Sequence, residues 1–153
     1  MKPFYIALLS LFLFSCGNDD ESEIKDYREI NDKEIQNYLE NNDLDAQQTN
    51  SGLYYIIDEE GTGKQPSSKS KVTVAYKGYF LNGKIFDQSN ASGVTFSLEK
   101  VIPGWTEGIT LFKEGGSGKL LIPSHLAYGP KNRNGIPGGS VLIFDIKLLN
   151  VVD

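Results

Sequence analysis

A chain of 153 residues has room for one globular domain and an appendage, and 39% apolar residues with seventeen aromatics and sixteen glycines fit a compact, turn-rich β or α+β domain. A formal charge of −5 repels phosphate backbones, which argues against nucleic acid as a partner. The single cysteine rules out an intrachain disulfide framework, and the single histidine, His125, has no cysteine or carboxylate cluster beside it, so no metal site and no cofactor are expected.

Lys2 precedes an apolar run from Phe4 to Phe14, interrupted by one serine, and Ser15-Cys16-Gly17 follows. A positive start, a short apolar stretch and small residues after it form a secretory signal pattern. Eleven residues are too few to cross a bilayer, which needs about 20. Leu13 to Cys16 resembles the lipobox of bacterial lipoproteins, with Phe14 bulkier than the residue commonest there. That resemblance implies cleavage after residue 15 and a lipidated Cys16 holding the chain to a lipid bilayer; the competing reading of Cys16 is a free thiol. Several acyl chains on one residue anchor stably where one would be marginal.

Asn18 to Glu23 is a polar, acidic run expected to be a solvated tether. It also resembles the surface-export signal of lipoproteins from Bacteroidetes-type bacteria. The expected location is thus the outer membrane, facing either the periplasm or the cell surface.

Asn31 to Asn41 is expected to be a helix, with Asn31 and Glu34 as a capping box and Ile35, Tyr38 and Leu39 on one face. Such a stripe can dock on the domain, meet a second copy or stay marginal, because a helix this short is not stable alone. Asn41 to Ser51, rich in Asn, Asp and Gln, reads as a linker. The expected organisation is a signal over 1–15, an acidic tether with a short helix over 16–50, and a globular domain over 51–153.

Within that domain, Gly52 to Ile57 reads as a strand, and Val72 to Leu81 as a second with near-strict alternation. Asn82-Gly83 signals a hairpin with a type I′ turn, and Lys84 to Asp87 returns as the partner strand. Val94, Phe96 and Leu98 line one face of the next strand. Val101 to Leu111 contains Trp105, the only tryptophan, which shares a helical face with Ile109 and Phe112 before Gly115-Gly116 ends the helix. Lys119 to Ile122 is a strand, 124 to 140 an irregular loop, and Val141 to Val152 a long closing strand. The expected fold class is α+β: an antiparallel, curved sheet of five to six strands wrapped around one short helix, preceded by a short N-terminal helix. Trp105 then either plugs the sheet as core or floors a ligand pocket. Tyr76, Phe86, Tyr128 and Phe144 converge on it with Asp87 adjacent, an excess of rings that points to a concave apolar site.

Val74-Ala75-Tyr76-Lys77-Gly78, Gly83-Lys84-Ile85-Phe86-Asp87, Val101 to Gly108, Leu126-Ala127-Tyr128-Gly129 and Leu142 to Leu149 occur in an order and spacing that resemble FKBP-type peptidyl-prolyl cis-trans isomerases, and Ser51 to the Gly61-Thr62-Gly63 turn resembles their bacterial lipoprotein or periplasmic branch. The resemblance implies an FKBP-like fold and an isomerase acting on proline-containing polypeptides. It implies an apolar pocket of Tyr76, Phe86, Val101, Ile102, Trp105 and Phe144, with Phe96 or Val94 as a further wall and Ile136 as a loop contact. It also implies that the Ile102 N–H and Tyr128 hydroxyl bond the substrate carbonyls, that Asp87 sits at the rim bonded to Tyr76, and that macrolides could bind. Two departures stand out: Gln88 to Gly93 lacks the arginine that usually partners this aspartate, and the loop after Tyr128 is altered. A non-catalytic chaperone or peptide-binding module using the same pocket is the alternative. His125 reads as a surface residue.

Overall fold

A computed structural model describes residues 24–152, so the signal pattern, Cys16 and the acidic run lie outside the described residues. Its elements are α1 (Arg28–Asn41), β1 (Gln47–Gln48), β2 (Tyr54–Glu59), β3 (Lys71–Tyr79), β4 (Ile85–Gln88), β5 (Val94–Ser97), α2 (Pro103–Gly108), β6 (Ser117–Ile122) and β7 (Leu142–Val152). Single 3-10 turns lie at Leu98–Lys100, Ile109–Leu111 and Ser124–Leu126. None of the helices among the described residues is long and apolar enough to cross a membrane.

The seven strands form one antiparallel sheet in the order β1-β2-β6-β7-β3-β4. β5 and β4 share one edge of β3, pairing with Lys71–Val74 and Lys77–Tyr79 respectively. The expected five to six strands become seven because Gln47 and Gln48, in the stretch read as a linker, pair with Tyr55 and Tyr54. Their polar side chains are exposed, so no apolar alternation announces the strand.

Alternation along β3 and β7 gives the sheet two apolar faces. The inner face holds Val72, Val74, Leu120, Ile122, Phe144, Ile146 and Leu148. It wraps Trp105 of α2 together with Ile109 from the 3-10 turn that follows and Phe112 at the end of that turn, where the sequence predicts one continuous helix. A six-residue helix is not stable by itself, so α2 depends on this packing. Gly104 and Gly108, one turn apart, let it lie directly on β6: a Cβ on Gly104 would sit 2.4 Å from Ile122 Cγ2, and one on Gly108 2.7 Å from Leu120 Cδ1.

The outer face carries Tyr54, Tyr79, Leu121, Val141 and Ile143, and α1 covers it with Ile35 and Leu39. The stripe read from the sequence therefore docks on its own domain. Asp145, which interrupts the apolar pattern of β7, sits on this side with Lys77 (3.6 Å) and Lys119 (2.5 Å) and accepts from the Tyr79 hydroxyl (3.0 Å). Burial first, then the Asp145 charge, pushes the Tyr79 hydroxyl far up from its usual range.

Three local expectations are corrected. Helix α1 begins at Arg28, and Asn31 is a fully buried helical residue rather than a cap. Its Nδ2 donates to Glu34 and to the Gly139 carbonyl, while its Oδ1 accepts from the Ser124 backbone N–H (2.9 Å) and hydroxyl (2.7 Å). The 80s hairpin is not type I′, since only Gly83 (φ +85°) adopts a positive φ there. Phe80 and Lys84 instead close a three-residue loop, with Gly83 N–H bonded to the Phe80 carbonyl (2.8 Å), which suits a type I turn followed by one left-handed residue. The type I′ pair is Asn134 (φ +52°) and Gly135 (φ +77°), inside the loop read as irregular. Finally, His125 is half-buried beneath Gly52, its Nε2 bonded to the Ser51 carbonyl at 2.8 Å.

Candidate active site

Six segments meet at one hollow on the concave side of the sheet. Tyr76 comes from β3, Phe86 and Asp87 from β4, Phe96 from β5, and Phe144 from β7, where it pairs with Gly78 of β3. Val101, Ile102 and Trp105 come from the turn into α2 and its first turn, and Tyr128 from the loop after β6. The cavity measures about 410 Å³, within the range of small-molecule and peptide side-chain sites.

Phe86 reaches the hollow through a bulge. Gly78 pairs with Asp87 and Tyr79 with Ile85, leaving Phe86 as the extra residue. A bulge bends its strand and re-aims a side chain. Gly78 makes room for the result, because a Cβ there would lie 2.8 Å from both Phe144 Cε1 and Phe86 Cζ.

The rings form an edge-to-face basket around Trp105. Its indole meets Tyr76 at 5.1 Å and 89°, Phe144 at 5.3 Å and 83°, and Phe96 at 5.4 Å and 78°. Phe86 meets Phe144 at 5.6 Å and 89°. Such T-shaped pairs hold each ring at a fixed angle, so the basket is pre-shaped. Trp105 is only 4% exposed, and its Nε1–H has no acceptor among the described residues.

Two further donors at the hollow are free. Pro103 at the start of α2 forces Ile102 to be extended (φ −58°, ψ 147°). The Ile102 carbonyl accepts from Trp105 and Thr106, while its N–H has no bond among the described residues. The Tyr128 hydroxyl likewise has no partner among them, although it lies close enough to Tyr76 to affect it electrostatically.

Asp87 accepts from the Tyr76 hydroxyl at 2.8 Å. The Tyr76 pKa is pushed up to about 12 from 10.0, by burial first and then by the bond to Asp87 and its charge. A tyrosine that holds its proton more tightly when folded contributes stability that is complete below pH 10.0 and lost as pH rises through about 12. An absorbance titration of the wild type should therefore include a late-ionising tyrosine that is missing in Tyr76→Phe.

Of the residues singled out in the sequence, Tyr76, Phe86, Asp87, Phe96, Val101, Ile102, Trp105, Tyr128 and Phe144 all line this cavity. Val94 does not, being 40% exposed on the sheet edge. Ile136 lies next door, in a hollow shared with Phe86, Asp87 and Tyr128. Gly78, Lys100, Ala127 and Arg133 were not anticipated. The alternation of β3 placed Gly78 on the correct face, but its contact with two rings arises only from the pairing across strands. No group of three or more His, Cys, Asp or Glu able to hold a metal occurs among the described residues.

A basket of rings with unpartnered donors at Ile102, Trp105 and Tyr128 and one rim carboxylate can receive an extended, apolar-centred segment of chain without any covalent step. The family of FKBP-type peptidyl-prolyl cis-trans isomerases matches residues 62–149, and the chain belongs to that family. It is 48% identical over 110 residues to the FKBP-type peptidyl-prolyl cis-trans isomerase FkpA of Buchnera aphidicola subsp. Acyrthosiphon pisum, covering 71% of this chain and 46% of that protein. Against FkpA of Escherichia coli (strain K12) the identity is 42% over 135 residues, covering 87% of this chain and 47% of the relative. This chain therefore aligns with a little under half the length of these curated relatives. The crystal structure of FkpA from Escherichia coli superposes with a TM-score of 0.72 at 40% identity, over 81% of this chain and 60% of that one. AtFKBP13 superposes with a TM-score of 0.65 at 31% identity, over 71% of this chain and 99% of its own.

Proposed function

We propose that this chain is a peptidyl-prolyl cis-trans isomerase that accelerates X–Pro rotation in exported polypeptides. The observation that carries the reading is the pair of free donors, Ile102 N–H and Tyr128 hydroxyl, beside a ring-lined hollow with Asp87 at its rim. The proline ring enters the basket above Trp105, walled by Tyr76, Phe86, Phe96, Val101, Ile102 and Phe144, with Ile136 touching the flank of the bound chain. Ile102 N–H and the Tyr128 hydroxyl hold the carbonyls on either side of the reacting bond.

The barrier to rotation, roughly 18–20 kcal/mol in a standard amide, comes from resonance between nitrogen and carbonyl. Twisting the amide breaks that resonance and reduces its dipole, so an apolar cavity disfavours the planar form more than the twisted one. This is differential binding of the transition state, needing no nucleophile, acid-base pair or metal. Asp87, held by Tyr76, faces the carbonyl as it rotates.

Cys16 is the lipid-bearing residue in this reading, with residues 1–15 removed, 16–50 as tether and helix, and 51–153 as the isomerase domain. The protein then works at the outer membrane, in the periplasm or at the cell surface, and macrolides of the kind that fill such pockets compete with substrate. Cys16→Ala should abolish both incorporation of labelled fatty acid and recovery with membranes; an unlabelled wild type would remove the anchor from the proposal.

The decisive measurement is X–Pro exchange catalysed by residues 22–153 with Asp87→Ala beside it. The wild type should exceed background and the variant should fall about tenfold, which corresponds to about 1.4 kcal/mol of lost transition-state binding. A wild-type rate at background, with aggregation of client proteins still suppressed, would instead favour a chaperone or peptide-binding module.

A further inference from the structure

The mouth of the pocket carries two cations, Lys100 and Arg133, on opposite sides in sequence and both exposed. Arg28, Lys77, Lys113 and Lys119 form ion pairs, whereas neither Lys100 nor Arg133 has an ion pair or a side-chain hydrogen bond among the described residues. The one carboxylate of the lining, Asp87, is engaged by Tyr76 and lies outside ion-pair contact with either cation. In a chain of net charge −5, this leaves a local excess of positive charge at the binding site.

Both cations stand on supported backbone. Lys100 ends the turn that begins with the fully buried Leu98, directly before Val101 and Ile102. Arg133 and Ile136 exchange two backbone bonds, 3.0 and 2.8 Å, across the Asn134-Gly135 turn. Residues paired in this way put their side chains on one side. Ile136 is 6% exposed and packed against the core, so the hairpin is anchored by its apolar foot and carries Arg133 to the pocket on that same side. Cations beside a low-dielectric wall focus their field into the cleft and attract an anionic segment more strongly than the same charges on an open surface.

We propose that Lys100 and Arg133 are specificity-determining residues that select X–Pro segments carrying Asp or Glu beside the proline. The inference rests on the isomerase reading of the pocket and names the substrate class for it. The acidic side chain remains at the mouth between the two cations while the proline occupies the basket. A basic neighbour is disfavoured by the same field.

The test uses the full chain and peptides differing only before proline, as Glu, Gln or Lys. Protease-free NMR exchange gives kcat and KM, and quenching of Trp105, the only tryptophan, reports binding whether or not turnover occurs. At low salt the Glu-Pro peptide should exceed the Gln-Pro peptide by about 3- to 10-fold, through KM rather than kcat, and the ratio should shrink at about 0.5 M salt. The ratio should fall to about one in the Lys100→Gln/Arg133→Gln double variant, and Lys-Pro should become preferred in Lys100→Glu/Arg133→Glu. A wild-type ratio of one, or an unchanged ratio in the double variant, overturns the inference while turnover of the Gln-Pro peptide leaves the isomerase reading intact. Tighter Glu-Pro binding without turnover of any peptide supports the acidic preference and overturns the isomerase reading alone.

Discussion

Gly78→Ala is expected to lower kcat/KM on an X–Pro peptide by about 10- to 100-fold while leaving the chain folded. The added methyl would lie 2.8 Å from ring atoms of Phe86 and Phe144, which ordinary packing does not permit. The β3 backbone cannot retreat easily, because Gly78 is paired on both sides, with Phe144 on β7 and Asp87 on β4. The rings must move instead, and the space open to them is the cavity. Overpacking of this kind costs about 1–3 kcal/mol, partly offset by the entropy that alanine saves over glycine in a strand. Denaturant unfolding should thus show a modest loss, and exchange kinetics a much larger one. Kinetics within twofold of wild type would mean that the basket does not depend on the positions of these two rings.

Asn31→Ala should cost about 2–4 kcal/mol of stability, large for a residue of α1 with no contact to the pocket. Its amide joins both ends of the loop that carries Tyr128, Arg133 and Ile136. Ser124 donates to it at one end, and the Gly139 carbonyl accepts from it at the other. Removing the amide leaves buried groups at Ser124 and Gly139 unpaired, which costs more than the bonds themselves contributed. Tyr27 reinforces the clamp, since a Cβ on Gly139 would lie 2.3 Å from its ring. The urea midpoint should fall, the Ser124 amide should exchange faster, and kcat/KM should drop as Tyr128 loses its fixed position. Stability unchanged within about 0.5 kcal/mol would reduce α1 to a passive cover.

These residues mark the limit of what the chain reveals without its fold. Asn31 followed by Glu34 has the spacing of a capping box, and the two side chains do bond to each other. What the spacing cannot carry is that Ser124 and Gly139 come to rest against the same amide, 93 and 108 positions away. The hairpins teach a similar lesson. Asn-Gly occurs at 82–83 and again at 134–135, and the dipeptide alone favours a type I′ turn at both. The bulge at Phe86 and the three-residue closure from Phe80 to Lys84 choose a different turn at the first site. Only the second adopts the tight form.

Local sequence determined the elements whose physics is local. Alternation in β3 and Pro103 opening α2 follow from neighbouring residues, whereas the helix expected to carry Trp105, Ile109 and Phe112 ends at Gly108, with Ile109 in a 3-10 turn and Phe112 extended. Tyr76, Phe86, Trp105, Tyr128 and Phe144 were legible as a ring cluster too, because an excess of aromatics with one carboxylate has no ordinary place in a small core, whereas Phe96 entered only through the family resemblance, as an alternative to Val94. Tertiary structure alone decided the strand at Gln47–Gln48, the clearance at Gly78, the buried role of Asn31 and the two cations at the mouth. Each depends on partners far away in the chain, brought together when antiparallel pairing and burial of two apolar faces close the sheet around α2. Residue type sets what a side chain can do; long-range register sets what it meets.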